Sequence, residues 1–266
     1  MNKVYCCYPG GKHKALTMSY DDGKIQDRRL VALFNQYGIK GTFHLNSGLF
    51  PMENRIKPEE IAELYRGHEI ACHTVTHPTI ARCPVPEVVA EVLEDRKALE
   101  AITGTPVRGL SYPNGSVSAE IEKLLPSCGI RYSRVVGNSD SFKLPENPYR
   151  WMATCHHGHR LMELGKEFLD LHKKQYLYLM YVWGHSYEFD NNNNWDIMED
   201  FCRMMSGQED IWYCTNIGFM DCMDDFGRLQ FAADNHFVYN PNARDCWISV
   251  NDDRIVRIPG GTCMEL

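Results

Sequence analysis

The chain has 266 residues, of which 44% are hydrophobic and 24% are charged, as in ordinary globular proteins, and this excludes a disordered, collagen-like or coiled-coil chain. Lys and Arg number 28 against 35 Asp and Glu, which gives a formal net charge of −7. The chain therefore lacks the basic surface that binding to a nucleic acid or an anionic membrane requires.

Short apolar runs alternate with stretches of helical periodicity along most of the chain. In chain order they predict a strand at 15–20, a helix at 25–37, a strand at 41–45, a helix at 58–65, a strand at 69–73, a helix at 86–102, a strand at 107–112, a helix at 118–125, a strand at 130–136, a helix at 161–172, a strand at 176–183, a helix at 195–205 and a strand at 211–215. Glycines at 38, 67 and 104 are placed to end three of these helices.

This alternation predicts an α/β fold built from parallel βαβ units. About seven units fit before residue 225, which favours a barrel of parallel strands over an open sheet, with the chemistry at the carboxyl ends of the strands. Short strands at 236–239, 246–250 and 255–258 predict a small antiparallel addition. We therefore expect residues 1–225 to form the barrel and residues 226–266 to form a β appendage packed on it.

The cysteines and the N-terminal residues bear on the cellular location. The 11 cysteines are irregularly spaced and contain no CxxC pair, so no disulfide framework is expected. Residues 1–10 show neither the apolar run nor the cleavage site of a signal peptide. The longest apolar run, at 176–183, is far below the ~20 residues that span a bilayer. We expect reduced thiols and a cytoplasmic protein.

Two adjacent carboxylates, Asp21 and Asp22, follow the first predicted strand. Adjacent carboxylates repel each other, and a metal bound to one would relieve the repulsion and leave the other ionised as a base. The alternative is a solvated turn, because Asp-Gly is a common turn dipeptide.

Two histidines lie at the carboxyl end of the third predicted strand: His73 is its last residue and His77 follows it. The spacing His-x3-His suits a divalent cation such as zinc, although two unrelated surface histidines would look the same. With one carboxylate they would supply three protein ligands and leave coordination positions open for water and substrate.

A third histidine, His185, follows the most apolar predicted strand. It can serve as a general acid, with Glu188 or Asp190 as orienting partner. A core or loop histidine without a catalytic role is the alternative.

Three segments together carry a resemblance to a known family. They are Ser-Tyr-Asp-Asp-Gly at 19–23, Gly-Thr-Phe at 41–43 and His-Thr-Val-Thr-His-Pro at 73–78. Over about residues 15–190 the chain resembles the polysaccharide deacetylases of the NodB-homology type, carbohydrate esterase family four, in motif order, spacing and strand context. The resemblance implies a distorted (β/α) barrel.

The resemblance also implies a function. It makes the chain a metal-dependent hydrolase that removes N-acetyl or O-acetyl groups from a saccharide by means of metal-activated water. Asp21 would be the catalytic base and His185 the general acid. One divalent metal ion, zinc with cobalt or nickel as alternatives, would be bound by Asp22, His73 and His77.

The third family motif, Arg-Pro-Pro-Tyr-Gly, is altered here to Ser-Tyr-Pro-Asn-Gly at 111–115. Ser111 stands in the place of the arginine, and Asn114, whose backbone N–H would be the oxyanion donor, stands in the place of the tyrosine. Tyr112 is a further candidate substrate contact. Arg108 lies three residues upstream, and residues three apart on a strand point to opposite faces. We therefore expect Arg108 not to replace the motif arginine, so that Asp21 relies on the metal alone.

The fourth family motif is also divergent. Trp151 is the best match to its tryptophan, which forms a wall of the acetyl pocket in the family. The segment Cys-His-His-Gly-His at 155–159 suggests a second metal site, which we disfavour because the first site already has a full ligand set. One of His156, His157 and His159 would instead contact substrate.

Two other functions remain open at this point. One is a metal-dependent hydrolase of a cyclic imide or other small amide on the same fold. The other is a catalytically inactive sugar-binding domain, which the intact Asp21, His73 and His185 disfavour, although a fold does not fix a function. The identity of the saccharide or amide, the metal and the oligomeric state are not determined by the sequence.

Overall fold

The computed structural model describes residues 2–266. Its strands are β1 Val4–Cys7, β2 Lys14–Asp21, β3 Gly41–Leu45, β4 Glu69–Cys72, β5 Gly109–Ser111, β6 Tyr132–Val135, β7 Trp151–Met152, β8 Cys155–His156, β9 Tyr178–Gly184, β10 Ile211–Tyr213, β11 Gln230–Phe231, β12 Phe237–Tyr239, β13 Cys246–Val250, β14 Arg254–Ile258 and β15 Cys263–Glu265. Its α-helices are α1 Asp27–Tyr37, α2 Pro58–Leu64, α3 Val85–Thr103, α4 Ala119–Leu124, α5 Leu161–Leu169, α6 Tyr187–Asn191, α7 Trp195–Met205 and α8 Asn216–Arg228.

A single parallel sheet forms the body of the molecule. Its strand order is β7-β6-β5-β4-β3-β2-β9-β8, and β10 also pairs with β2. β7 and β8 belong to one segment, residues 151–156, which pairs first with β6 and then with β9. We call this the closing segment. Because it joins the two ends of the strand order, the sheet curls into the distorted barrel that the sequence predicted.

The alternation of side chains along β2 separates the two faces of this sheet. Leu16 and Tyr20 pack in the apolar core between sheet and helices. Thr17 and Ser19 point the other way, where their hydroxyls contact Asn216 and His44. Successive residues of a strand face opposite sides, so Asp21 falls on the same inner face as the two hydroxyl residues, at the carboxyl end of the strand.

The predicted helix ends are confirmed where glycine supplies the cap. Helix α1 ends at Gly38 and α3 at Gly104, both with left-handed backbone (φ 67° and 68°). Glycine adopts this conformation without the steric penalty that a Cβ imposes, and it therefore ends helices frequently. These caps fix where the chain turns back toward the sheet.

The pairing of the antiparallel strands does not follow the expected division into a barrel at residues 1–225 and an appendage at residues 226–266. β13 pairs with β14, as expected of a C-terminal addition, but it also pairs with β1 at the other end of the chain. A second small sheet contains β11, β12 and β15. The appendage thus includes the N-terminal strand that the sequence had assigned to the barrel, and the expected boundary at residue 225 falls inside α8.

Two further expectations concern the membrane and the thiols. Within residues 2–266, no helix combines the length and the apolar character needed to cross a membrane. All 11 cysteines in this part of the chain are free, which agrees with the predicted reduced thiols.

Candidate metal centre and active site

The carboxyl ends of neighbouring strands bring the chemically reactive side chains together. Asp21 at the end of β2 is in register with His44 of β3. Ser111 at the end of β5 is in register with Arg134 of β6. His73 directly follows β4, which lies between these two pairs of strands. One end of the barrel therefore carries the carboxylate, imidazole, hydroxyl and guanidinium groups.

The three predicted metal ligands lie together at this end. One ligand atom from each of Asp22, His73 and His77 lies within 4.8 Å of the others. Nε2 of His77 is 3.9 Å from Oδ1 of Asp22, and the two imidazole rings have centroids 4.8 Å apart. A mixed set of nitrogen and oxygen donors at this spacing suits a divalent transition metal.

The protonation of His73 fits metal binding. Its Nδ1 lies 2.8 Å from the backbone carbonyl oxygen of Ser111, so the Nδ1–H donates to that oxygen. Burial lowers the pKa of His73 to about 4, which keeps the ring neutral. The lone pair is therefore on Nε2, and a hydrogen-bonded second ring nitrogen is the usual arrangement of a metal-binding histidine.

The two loops that carry the predicted metal ligands contain residues with left-handed backbone. Asp22, Thr74 and His77 have φ values of 82°, 67° and 61°, a left-handed region that non-glycine residues adopt at a cost of about 1–3 kcal/mol each. Surrounding contacts hold them there. The side-chain amide of Asn46 donates to the backbone oxygen of Thr74 at 3.0 Å, and the N–H of Asp22 donates to that of His44 at 2.9 Å.

Asp21 is a buried carboxylate with partners on both oxygens. Its side chain is only 3% exposed. Oδ1 accepts the Ser111 hydroxyl at 3.0 Å and lies 3.3 Å from Nδ1 of His44, while Oδ2 accepts from the guanidinium of Arg134. Burial by itself raises the pKa of Asp21, but Arg134, His73 and His44 together lower it well below its ordinary value. The group is therefore ionised and suited to act as a base.

The guanidinium beside Asp21 comes from a residue that the sequence did not single out. Arg134 lies in register with Ser111 on the neighbouring strand, and the side chains of both residues contact Asp21. Arg108 instead makes a bidentate ion pair with Asp221 of α8, at 2.8 and 2.9 Å. Arg108 thus does not replace the motif arginine, as expected, but the expectation that Asp21 relies on the metal alone is wrong.

His44 is a second group that the sequence did not single out. It follows Gly-Thr-Phe at the position where the family segment has a second Phe, and it is fully buried. Burial lowers the pKa of His44, so the ring is neutral and its Nδ1–H donates to Asp21. Within residues 2–266 its Nε2 has no hydrogen-bond partner.

His185 lies directly after β9 and is oriented by Glu188. Its Nδ1 is 3.2 Å from Oε1 of Glu188. Asp190, the other partner considered, instead accepts from Gln26 and Trp195. Burial lowers the pKa of His185, but the hydrogen bond to Glu188 and the nearby Asp21 and Asp22 outweigh it and raise the pKa above its ordinary value. A histidine held protonated in this way can act as a general acid.

A family model and a curated relative each match part of this chain. A family model described as polysaccharide deacetylase matches residues 9–133, which include Asp21, Asp22, His73 and His77. A curated chitooligosaccharide deacetylase of Rhizobium leguminosarum bv. phaseoli is 24% identical over 118 residues, or 44% of this chain and 50% of the relative. The chain thus matches half the length of that relative.

Residues 9–133 of the chain match the polysaccharide deacetylase family.

Solved structures of similar fold include peptidoglycan deacetylase PdaC from Bacillus subtilis, with a TM-score of 0.54 at 12% identity over 82% of this chain and 94% of that one. They also include the Puue allantoinase, with a TM-score of 0.61 at 13% identity over 80% of this chain and 91% of that one. At these identities the likeness concerns the fold.

The tryptophan that borders the site is not the predicted one. Trp151 is 1% exposed and packs inside the barrel against Tyr181 and Phe219, with ring centroids 4.6 and 5.3 Å away. Its ring has no free surface with which to line an acetyl pocket. Trp183 instead stacks on the Arg134 guanidinium at 4.4 Å and lies next to the ring of His185, 5.9 Å between centroids.

The altered third motif divides into a buried and an exposed part. The side chain of Tyr112 is buried, and its hydroxyl donates to the backbone oxygen of Tyr149 at 2.8 Å, so the predicted substrate contact through this side chain is not available. Asn114 is exposed, has left-handed backbone (φ 56°) and lies 3.4 Å from the hydroxyl of Thr79, just beyond the metal-ligand loop.

Proposed function

We propose that this protein is a metal-dependent hydrolase that removes acetyl groups from the amide nitrogen of a saccharide. The observation that carries the proposal is the placement of a three-residue ligand set beside an ionised, buried carboxylate and a histidine held protonated. The match of residues 9–133 to the polysaccharide deacetylase family model supports the acetylated saccharide as substrate.

Asp22, His73 and His77 would hold the metal. Their one oxygen and two nitrogen donors suit zinc, with cobalt or nickel as alternatives. When bound, such an ion supplies a Lewis acid that lowers the pKa of water and polarises a carbonyl group.

Asp21 would serve as the general base. Arg134 keeps the Asp21 carboxylate ionised. The Ser111 hydroxyl and the His44 ring contact Oδ1 of Asp21 and fix the orientation of the carboxylate. As water adds to the amide carbonyl carbon, a proton passes from that water to Asp21. A positioned base of this kind typically contributes about 10²–10⁴-fold to the rate.

His185 would serve as the general acid. Because its Nδ1–H is engaged by Glu188, the second ring nitrogen, Nε2, is left to donate its proton to the amide nitrogen as the carbon–nitrogen bond breaks. The backbone N–H of Asn114 is the candidate donor to the developing oxyanion. The products are acetate and a free amine on the sugar.

Release of acetate from a fully N-acetylated chito-oligosaccharide tests the proposal. We expect release by the metal-loaded protein, none after exhaustive chelation, and none from Asp21→Asn. Undiminished release by the Asp21→Asn protein would contradict the assignment of the base. No release from this or other N-acetylated saccharides by the metal-loaded protein would contradict the proposed substrate class.

Hydrolysis of a cyclic imide or other small amide is the second candidate. It is favoured by the likeness in fold to an allantoinase. The same ligand set, base and acid would act on that substrate, so the two candidates differ only in what the site admits. Parallel assays with a chito-oligosaccharide and with allantoin, each with and without chelator, separate them.

A further inference from the structure

Two histidines and a glutamate form a second group of metal-ligand type beside His185. His156 and His157 lie at the end of β8, and Glu188 lies in α6. The Nε2 atoms of the two histidines are 3.0 and 3.1 Å from the same carboxylate oxygen, Oε2 of Glu188. One ligand atom from each of the three lies within 4.8 Å of the others. By composition alone the group resembles a zinc site.

The proton of His156 is in the wrong place for a metal ligand. A histidine that binds a metal through Nε2 carries its proton on Nδ1 and donates it to a nearby acceptor, as His73 does. Nδ1 of His156 instead accepts the backbone N–H of Gly158 at 3.1 Å. Since a neutral imidazole has one donor and one acceptor nitrogen, the proton is on Nε2, where it donates to Glu188.

The surroundings of His157 lead to the same assignment. Its ring is stacked between Tyr20 and Phe189, with centroids 5.8 and 4.2 Å away. Within residues 2–266 its buried Nδ1 has no hydrogen-bond partner and lies against Gly184, where a Cβ would collide with it. A proton on Nδ1 would be buried without an acceptor at a cost of about 1–3 kcal/mol, so the proton of the neutral ring is on Nε2, facing Glu188.

We propose that His156 and His157 are positioning residues, which hold the Glu188 carboxylate by two Nε2–H donors so that Glu188 can fix the Nδ1–H of the general acid His185. The inference rests on the proposed function in assigning His185 as the acid. It accounts for the absence of a side chain at Gly184, because the His157 ring occupies that space.

Titratable groups from several elements lie near His185. Glu188 and Tyr187 approach it from α6, His157 lies directly after β8, and Asp21 and Asp22 act on it from the end of β2. Partial burial raises the pKa of Glu188, but hydrogen bonds from three histidines lower it well below its ordinary value. Glu188 is therefore a fixed negative charge, and it is the group in hydrogen-bond contact with the acid.

The proton positions can be measured without any activity assay. Two-bond ¹H–¹⁵N correlation spectra of the metal-loaded protein, assigned by single His→Gln variants, report which ring nitrogen carries the proton. We expect protonated Nε2 and bare Nδ1 for His156 and His157. Protonated Nδ1 at either residue, or loss of a metal equivalent from the His156→Ala protein by elemental analysis, overturns the proposal in favour of a second metal site.

Kinetics test the positioning role. His156→Ala should lower kcat about tenfold with KM changed less than twofold, within the 10–100-fold range seen when an outer hydrogen-bond partner is removed. His156→Gln should recover most of kcat, because its side-chain amide can donate from the place of Nε2. His159→Gln is the matched control, since His159 lies in the same segment but pairs with Asp140 at 2.9 Å.

The pH profile separates this role from a merely structural one. Glu188→Gln removes the negative charge next to the acid, so the basic limb of kcat/KM should move down by about 1 pH unit. An unmoved limb in a folded Glu188→Gln protein, or equal losses in His156→Gln and His156→Ala, contradicts the proposal. If no substrate is turned over, the spectra still decide the positioning question, and the proposed function alone fails.

Discussion

Replacing Arg134 by methionine should make the proposed base harder to ionise. The side chains of Arg134 and Asp21 are 1% and 3% exposed, so water cannot take over the role of the lost guanidinium. Methionine keeps an apolar side chain of similar length but no charge. The burial that raises the pKa of Asp21 remains, while the largest influence that lowers it is gone.

The size of the effect follows from this geometry. An arginine in contact lowers the pKa of an aspartate by about 1–3 units, and one unit corresponds to about 1.4 kcal/mol. The acidic limb of kcat/KM should therefore move up by about 1–3 pH units. If the folded pKa rises above the unfolded value, protonation favours the folded state, so the variant should also lose stability as the pH rises through that folded pKa.

Two variants control the measurement. Arg108→Met removes the arginine that pairs with Asp221 and should leave the acidic limb in place. In the double variant Arg134→Ser with Ser111→Arg, the guanidinium moves to the neighbouring strand at the same level, which is the family arrangement. We expect this exchange to return the limb toward its original position.

Either of two results would contradict the role of Arg134 beside Asp21. One is an unmoved acidic limb in an Arg134→Met protein that circular dichroism and denaturant unfolding show to be folded. The other is an equal shift on Arg108→Met, which would mean that the limb reports general surface charge and not the pair with Asp21.

Three further predictions concern the metal, its neighbours and the two tryptophans. Chelation should abolish acetate release and Zn²⁺ or Co²⁺ should restore it; unchanged activity, with no metal detected by elemental analysis, argues against a metallohydrolase. Asp21→Asn should stop turnover but keep the metal, whereas His77→Ala should lose it; loss of the metal from Asp21→Asn and its retention by Asp22→Asn would exchange the roles of the two aspartates. Trp151→Leu should lower the free energy of unfolding by about 3 kcal/mol, whereas Trp183→Leu should mainly lower kcat; matching kinetic losses in both would contradict their different placement.

The sequence predicts well the helices and motifs that depend only on short stretches of chain. The helix at 195–205 is found at the predicted residues, since its apolar period and its length are both local. The ligand set is likewise contained in two short motifs. Each motif follows a strand of one parallel sheet, and this placement brings Asp22 close to His73 and His77.

The features that the sequence did not predict depend on which strands pair with each other and in what register. Arg134 reaches Asp21 only because β6 lies beside β5 in a register that the sequence does not show. The available signal for Arg134 was the presence of a charged residue inside a short buried strand. β1 was not predicted because its partner strand is at the far end of the chain, with Val4 opposite Val250. Trp151 was matched by motif, whereas the direction of its side chain is set by the strand.

The closing segment links the closure of the barrel to the positioning of His185, the proposed general acid. Its first two residues pair with the strand that carries Arg134, and its last two pair with the strand that leads to His185. The ladder between residues 155–156 and β9 is only two residues long, so its local opening should cost less than opening the long β2–β9 pairing. Fraying of residues 155–156 would withdraw His156 from Glu188 while the predicted metal ligands stayed in place. Partly folded chains would then bind metal before they could turn over substrate, and hydrogen exchange of these amides would report the interval between the two events.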